Sequence, residues 1–198
     1  MAPSHRRASR SRKTSETDVA LSVDLDGSGR SGISTGIAFF DHMLDLFSRH
    51  ALVDLEVRVA GDLSVDYHHT VEDTGIVLGE CLREALGGKE GLNRYGHAYV
   101  PMDEALSRVV IDLSDRPWLE FHAPGDTPSA QNLPFSLVEE FCRAMASNLR
   151  ANLHVEVLRG RDGHHITESV FKGLARAFRM AASLDPRVRG VPSTKDVL

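Results

Sequence analysis

Two copies of one unusual pentad give this sequence its clearest chemical signal. His68-His69-Thr70-Val71-Glu72 returns as His164-His165-Ile166-Thr167-Glu168, so each half of the chain carries a His-His-x-x-Glu string. Imidazole suits borderline metal cations and carboxylate suits harder ones. On a helix the first histidine and the glutamate share a face at i and i+4, whereas the second histidine points roughly 100° away. Adjacent histidines therefore suit two ions better than one, and the two pentads predict a paired metal site.

The elements that must position the pentads follow the same order in both halves. The first half predicts strands over 19–25 and up to about 36, an apolar helix over 39–47, a strand over 52–59, and a helix that begins with the pentad. The second half predicts strands over 105–113 and 118–123, a helix from about Pro134, a strand over 153–158 and the second pentad helix. The strands before the pentads align at an offset of 100 and the pentads at 96, so the second turn is four residues shorter.

This order predicts an internally duplicated α/β fold of the α+β type. Each half forms a small mixed sheet with helices on one face, and the two helical layers cover each other by packing together. We expect a basic disordered tail over 1–13 and a single domain over 14–198. That domain contains repeats at about 14–93 and 94–190, followed by a C-terminal loop over 191–198.

Composition narrows the class of protein. The chain has 198 residues, of which 41% are hydrophobic and 26% charged, and no apolar run approaches the ~20 residues that span a bilayer. Five of its 23 basic residues lie in 1–13, so the rest carries 18 against 28 acidic residues. This net charge of about −10 argues against a nucleic-acid partner. Cys81 and Cys142 lie in apolar helical patterns, which predicts core packing in a reducing, cytoplasmic compartment.

Several further strings stand in a fixed order around the pentads. They are Ser34-Thr35-Gly36-Ile37, Phe39-Phe40-Asp41-His42-Met43-Leu44, Pro101-Met102-Asp103-Glu104, Phe171-Lys172 and Pro192-Ser193-Thr194-Lys195. Together with the pentads they resemble imidazole glycerol phosphate dehydratase of histidine biosynthesis, from about Thr14 to the C-terminus. The resemblance implies a duplicated α/β fold, two Mn²⁺ per active site, and a symmetric assembly of 24 subunits with active sites at interfaces.

The activity that the resemblance implies agrees with the chemistry of the pentads. The family's enzymes are hydro-lyases that convert imidazole glycerol phosphate to imidazole acetol phosphate. The proton that is lost is not next to a carbonyl, so the imidazole ring itself must expel the hydroxyl group. Two cations that bind the two ring nitrogens would make the ring an anion, a metal-bound imidazolate, as bound metal lowers the pKa of coordinated water.

The resemblance also implies a ligand set. One ion would take His42, His69, His164 and Glu168, and the other His68, Glu72, His165 and a fourth ligand. Glu140 matches the position where many relatives have histidine, close to the repeat counterpart of His42. Carboxylate is an acceptable manganese ligand. His154 is the competing candidate, although a lone histidine in a strand is more often structural.

Other positions match the family's substrate-contacting segments. Glu16, in Thr14-Ser15-Glu16-Thr17, would transfer protons at the diol. Asp103 and Glu104 are candidate acceptors for the second ring nitrogen of metal-bound histidines. The phosphate group would be held by Arg94, Arg116, Lys172, Ser193 and Lys195. Two departures concern this phosphate site, since Asp115 and Asp196 stand where glycine is usual. The first could shift the Arg116 loop, and the second adds negative charge beside Lys195.

Three alternatives follow from the same residues. A binuclear metallohydrolase would use two metals to activate a bridging water, but the Pro-Ser-Thr-Lys string and the lack of a further bridging carboxylate count against it. A metal-storage or scaffolding shell would use the ions only to join subunits, which leaves the phosphate-binding cations unexplained. A zinc protease is the weakest alternative, because neither His-Glu-x-x-His nor His-x-x-Glu-His occurs.

Overall fold

Each half of the chain folds as three strands, a helix, a strand and a second helix. A computed structural model describes residues 6–195. The first half contains β1 (Arg7–Lys13), β2 (Thr17–Asp24), β3 (Ser31–Ser34), α1 (Ala38–Ala51), β4 (Asp54–Gly61) and α2 (His68–Leu86). The second half contains β5 (Tyr95–Met102), β6 (Ala105–Asp112), β7 (Trp118–His122), α3 (Ser136–Leu149), β8 (Asn152–Arg159) and α4 (Gly163–Ala182).

The two sheets have the same topology. Their strand orders are β1-β2-β4-β3 and β5-β6-β8-β7. In the first sheet β2 pairs antiparallel with both β1 and β4, and β3 pairs parallel with β4. In the second sheet β6 pairs antiparallel with both β5 and β8, and β7 pairs parallel with β8. The predicted duplicated α/β fold with two mixed sheets is confirmed.

The helices lie between the sheets and pair across the two halves. Alternate residues of β2, such as Val19, Leu21 and Val23, are buried, which is the pattern of a sheet with one covered face. Helix α2 packs against α3, and α1 packs against α4. Aromatic rings from three helices meet where these pairs join, with Phe141 at 5.5 Å from Phe40 and 5.2 Å from Phe171. The predicted packing of the two helical layers is therefore confirmed. Both pentad helices, α2 and α4, pack into the core that the two halves share.

The expectation of a disordered tail is wrong for residues 7–13, which form β1. This strand pairs with β2 along its whole length, from Arg7 opposite Asp24 to Lys13 opposite Asp18. Its basic side chains are paired with acids, including Arg7 with Asp24 at 2.7 Å and Arg12 with Asp73 at 2.9 Å. Composition misled because an edge strand needs few apolar residues, and only Ala8 of the β1 residues is buried. Residues 1–5 lie outside the described part of the chain.

The counterpart of β1 in the second half was also missed. Strand β5 buries Gly96, Ala98 and Val100 and exposes the residues between them. The period-two signal is present, but its buried members are small and carry little apolar weight.

The chain from 6 to 195 contains no helix that is both long and apolar enough to cross a membrane.

Candidate metal centre

Both pentads lie at the first turn of a helix, where the preceding loop caps the backbone. The carboxylate of Asp66 accepts the N–H of His68 at 2.8 Å. Asp162 is the N-cap of α4 and accepts the N–H groups of His164 at 2.7 Å and His165 at 3.3 Å. A carboxylate satisfies helix N–H groups that lack a partner within the helix. The caps therefore fix the directions in which the histidines leave their helices.

The first ligand group joins α1 to α4. His42, His164 and Glu168 each present an atom within 4.8 Å of the others. Glu168 Oε1 lies 3.2 Å from His42 Nε2 and 2.8 Å from His164 Nε2, and Lys172 donates to Oε2 at 2.5 Å. Burial alone would raise the pKa of Glu168, but the hydrogen bonds from Lys172, His164 and His42 outweigh it and lower the pKa to about 2. The carboxylate is thus held ionised, as a metal ligand must be.

The second ligand group joins α3 to α2 in the same way. His68, Glu72 and Glu140 present atoms within 4.8 Å of one another, with His68 Nε2 at 3.7 Å from Glu72 Oε2. Glu140 is the fifth residue of α3 and His42 the fifth of α1, and both helices have 14 residues. The competing candidate, His154, is on the exposed face of β8, whereas the flanking Leu153 and Val155 are buried. The structure brings Glu140, and not His154, to the first pentad.

His69 and His165 lie outside these groups, and each is held by a carboxylate. His69 Nδ1 lies 3.0 Å from Asp62, and His165 Nδ1 lies 2.7 Å from Glu104. These contacts raise the pKa of both imidazoles. Hydrogen bonds from the Asp162 N–H, the His165 ring and the Arg161 N–H lower the pKa of Glu104 to about 2. Carboxylate contact at one ring nitrogen is typical of histidines that bind metal through the other.

The Nε2 atoms of these two histidines also lie near equivalent acids. Glu16 is 3.8 Å from His69 Nε2, and Asp103 is 3.7 Å from His165 Nε2. Both acids are in hairpin turns, between β1 and β2 and between β5 and β6. Glu16 is half exposed. Within residues 6–195, His69 and His165 belong to neither three-ligand group, so the ligand sets expected for one ion are split within a single chain.

The predicted phosphate-binding residues fall into two groups, one around Arg94 and the C-terminal loop and the other at Lys172 beside Glu168. The Arg94 guanidinium contacts Asp112 at 2.7 Å and the Pro192 carbonyl at 2.9 Å, and Arg116 approaches the same Asp112 at 3.8 Å. The loop that carries Ser193 and Lys195 therefore lies against Arg94. In that loop the Lys195 N–H donates to the Ser193 hydroxyl at 3.2 Å. Lys172 is with Glu168 instead.

The departure at Asp115 has a visible structural setting. Its φ of 61° lies in the left-handed region that favours glycine. The carboxylate is held by Lys89 at 3.4 Å and Arg150 at 3.2 Å. Asp115 keeps the glycine-like backbone, and Arg116 remains beside Asp112. The second departure, Asp196, lies outside the described residues.

Sequence reasoning missed Asp62, the carboxylate that holds His69. The local pattern assigns this residue only to a turn, Gly61-Asp62. An acidic residue in the loop just before a pentad was the available signal, because metal-bound histidines need an acceptor at their second nitrogen. Glu104, by contrast, was predicted as such an acceptor.

Comparison with known proteins identifies relatives over nearly the whole chain. Residues 35–178 match the family model described as imidazoleglycerol-phosphate dehydratase. The chain is 62% identical to the imidazoleglycerol-phosphate dehydratase of Akkermansia muciniphila, covering 98% of this chain and 100% of that protein. It is 52% identical to the Polaromonas sp. dehydratase, covering 99% and 96%.

Solved structures give the same result. The crystal structure of imidazoleglycerol-phosphate dehydratase from Staphylococcus aureus matches with a TM-score of 0.82 at 37% identity, covering 90% of this chain and 99% of that one. The Pyrococcus furiosus structure, solved in complex with (S)-C348, matches with a TM-score of 0.83 at 37% identity, covering 96% and 100%.

Proposed function

The chain belongs to the imidazoleglycerol-phosphate dehydratase family, and on that premise we infer that it removes water from imidazole glycerol phosphate to form imidazole acetol phosphate in histidine biosynthesis. It is a hydro-lyase. The observation that carries this function beyond family membership is the pair of equivalent three-ligand groups, one at each pentad. The alternative of a binuclear metallohydrolase is not favoured, because the relatives over the full chain are dehydratases.

We propose that the two groups hold two Mn²⁺ ions per active site. The donor chemistry fits, since each group combines imidazole with carboxylate oxygen and its members already converge. His42, His164 and Glu168 would hold one ion, and His68, Glu72 and Glu140 the other. When bound, such cations act as Lewis acids that lower the pKa of a coordinated nitrogen or oxygen.

We propose that His69 and His165 complete these coordination shells across subunit boundaries. Support comes from their contacts, because each has one ring nitrogen held by a carboxylate while the residue belongs to neither of the chain's own ligand groups. Closed symmetric association of identical subunits would bring these histidines of one chain to the ligand groups of another. The proposal therefore includes the 24-subunit assembly. Light scattering on metal-loaded protein tests it, and a fully active 21.7 kDa monomer would contradict it.

We propose Glu16 as the group that moves protons at the diol carbons, and Arg94, Arg116, Lys172, Ser193 and Lys195 as the phosphate-binding set. The distance of 3.8 Å from Glu16 to His69 Nε2 supports the first assignment, because it places Glu16 beside a proposed metal ligand. A proton-transferring group must lie next to the substrate that the metals would bind. The contact between Arg94 and the C-terminal loop supports the second. Bidentate arginine contacts suit phosphate oxygens.

A cytoplasmic location completes the proposal. It is supported by the biosynthetic role of the family and by Cys81 and Cys142, which are both free and buried.

The deciding experiment follows the ketone product in purified protein before chelation, after chelation and after Mn²⁺ is restored. Metal content is measured on the same samples. We expect turnover to disappear with the metal and to return with it. Full turnover in metal-free protein would contradict the metal assignment. Release of inorganic phosphate in place of the ketone would favour the metallohydrolase.

A further inference from the structure

A buried acid joins the first pentad helix to the neighbouring hairpin. Asp73 directly follows Glu72 in α2, and its side chain is only 8% exposed. Its Oδ2 atom accepts two hydrogen bonds, one from Arg12 Nη1 at 2.9 Å and one from the Thr17 hydroxyl. These two residues come from β1 and β2, so one carboxylate fastens both strands of the hairpin to the helix.

The turn between those strands carries Glu16, and its backbone is fixed on both sides. The Thr14 hydroxyl accepts the N–H groups of Glu16 at 3.1 Å and Thr17 at 3.0 Å. The Glu16 carbonyl accepts the N–H of Asp62 at 3.1 Å. Since the carboxylate of Asp62 also holds His69, the Glu16 turn and the metal-directed imidazole belong to one hydrogen-bonded unit.

The second half has no charge at the matching position. Ser169 follows Glu168 as Asp73 follows Glu72, and its hydroxyl lies 2.5 Å from that of Ser107 in β6. Both junctions bind a pentad helix to its sheet. The charged one is in the half whose hairpin turn carries the proposed proton-transferring group.

We infer that Asp73 is a positioning residue that acts through Glu16: by binding Arg12 and Thr17 it holds the Glu16 turn against the pentad helix. This inference rests on the proposed function. A carboxylate displaced by about 1 Å from its reacting atom can lose roughly 100-fold in rate. Asp73 would therefore affect kcat without touching substrate or metal.

The test compares Asp73→Asn with Glu16→Gln and with the double variant. Glu16→Gln alone should lower kcat by roughly 10²–10⁴-fold, the usual worth of general acid–base catalysis. Asp73→Asn alone should lower kcat by about 10- to 100-fold, with KM and metal content near wild type. In the Glu16→Gln background the same change should cost less than about 3-fold, because residues that act as a unit are not additive.

Asp24→Asn is the matched control. It removes an ion pair with Arg7 at the opposite end of the same hairpin and should leave kcat unchanged. Arg12→Gln removes the partially exposed partner of Asp73 and repeats the test should Asp73→Asn not fold.

Equal losses of kcat from Asp73→Asn in both backgrounds would overturn the inference, as would a loss of metal in step with activity. Either result with Arg12→Gln, where it replaces Asp73→Asn, would overturn it as well. An inactive wild-type protein would instead contradict the proposed function itself.

Discussion

The two pentads present the same imidazole–carboxylate pair but take the carboxylate from different elements. In the first half the acid is Asp62, in the loop between β4 and α2, and in the second half it is Glu104, in the turn between β5 and β6. The loop over 62–67 itself contains Asp62, the acid that contacts His69. The shorter loop over 160–162 uses Asp162 as a helix cap, and Glu104 holds the N–H groups of Arg161 and Asp162.

This difference teaches what the duplication preserves. The predicted offset of 100 before the pentads is wrong by two, because α1 and α3, and likewise β4 and β8, correspond at an offset of 98. The segment between strand and pentad is therefore two residues shorter in the second half, and Gly160 stands in the place of Asp62. The contact at Nδ1 is nevertheless present in both halves. The orientation of the second histidine is thus the shared feature, and the element that provides the acid is not. The same holds for the ligands, where His42 in α1 corresponds to Glu140 in α3.

Removing one ligand from either half gives the largest expected effect. His68→Ala and His164→Ala should each lower metal content and abolish turnover, because each proposed active site draws on both pentads. The two variants should be equally damaging if the groups are equivalent. Metal analysis with the product assay checks this. His164→Ala protein that kept two ions per chain and near-normal turnover would show that the two groups are not paired.

Glu140 tests whether the α1 and α3 positions are interchangeable. Glu140→His makes the second group like the first and should keep two ions and most activity, since imidazole binds the same cations. Glu140→Leu removes the donor and should lose one ion preferentially. His154→Ala is the control, because this histidine is exposed on β8. If Glu140→Leu bound both ions with unchanged affinity, Glu140 would not be a ligand.

The sequence predicted the parts of this comparison that depend on pattern. Pentad repetition indicated the two helices and their sheets, and the resemblance to the family gave Glu140, close to the repeat counterpart of His42. The strands β1 and β5 were missed because their buried residues are small or few. Asp62 and Arg12 could not be paired with His69 and Asp73, since those contacts depend on how loops and strands cross the helix N-terminus rather than on spacing along the chain.

Replacing the carboxylates that contact Nδ1 of His69 and His165 should have an intermediate effect on metal binding. Asp62→Asn and Glu104→Gln are each expected to weaken metal binding by about 10- to 100-fold. Glu104→Gln should be the more harmful, because Glu104 also binds two loop N–H groups. Titration of metal into apo-protein measures both. The control is Glu120→Gln, which disrupts a histidine–carboxylate pair of 2.9 Å on the exposed face of β7. Equal affinities in all three variants would remove any role for these acids in metal binding.

The smallest expected effect concerns two loops with left-handed backbone. The connection between β2 and β3 uses Gly29 at φ 85°, whereas that between β6 and β7 uses Asp115 at φ 61°. Asp115→Gly would relieve backbone strain of about 1 kcal/mol. It would also take a carboxylate from Lys89, which is buried and otherwise donates to the Leu113 carbonyl at 3.1 Å. Burial already lowers the pKa of Lys89, with Asp115 opposing that shift.

The burial of Lys89 decides the sign of this last change. Loss of a hydrogen-bonded partner from a buried charge costs about 1–3 kcal/mol, which exceeds the strain that is relieved. Asp115→Gly should therefore lower the melting temperature by about 2–4 °C, as a net loss near 1 kcal/mol does in a chain of this length, while kcat stays near wild type. Arg150→Gln removes only the exposed partner of Asp115 and should change stability by less than about 0.5 kcal/mol. A higher melting temperature for Asp115→Gly would mean that backbone strain, and not the Lys89 ion pair, dominates at this loop.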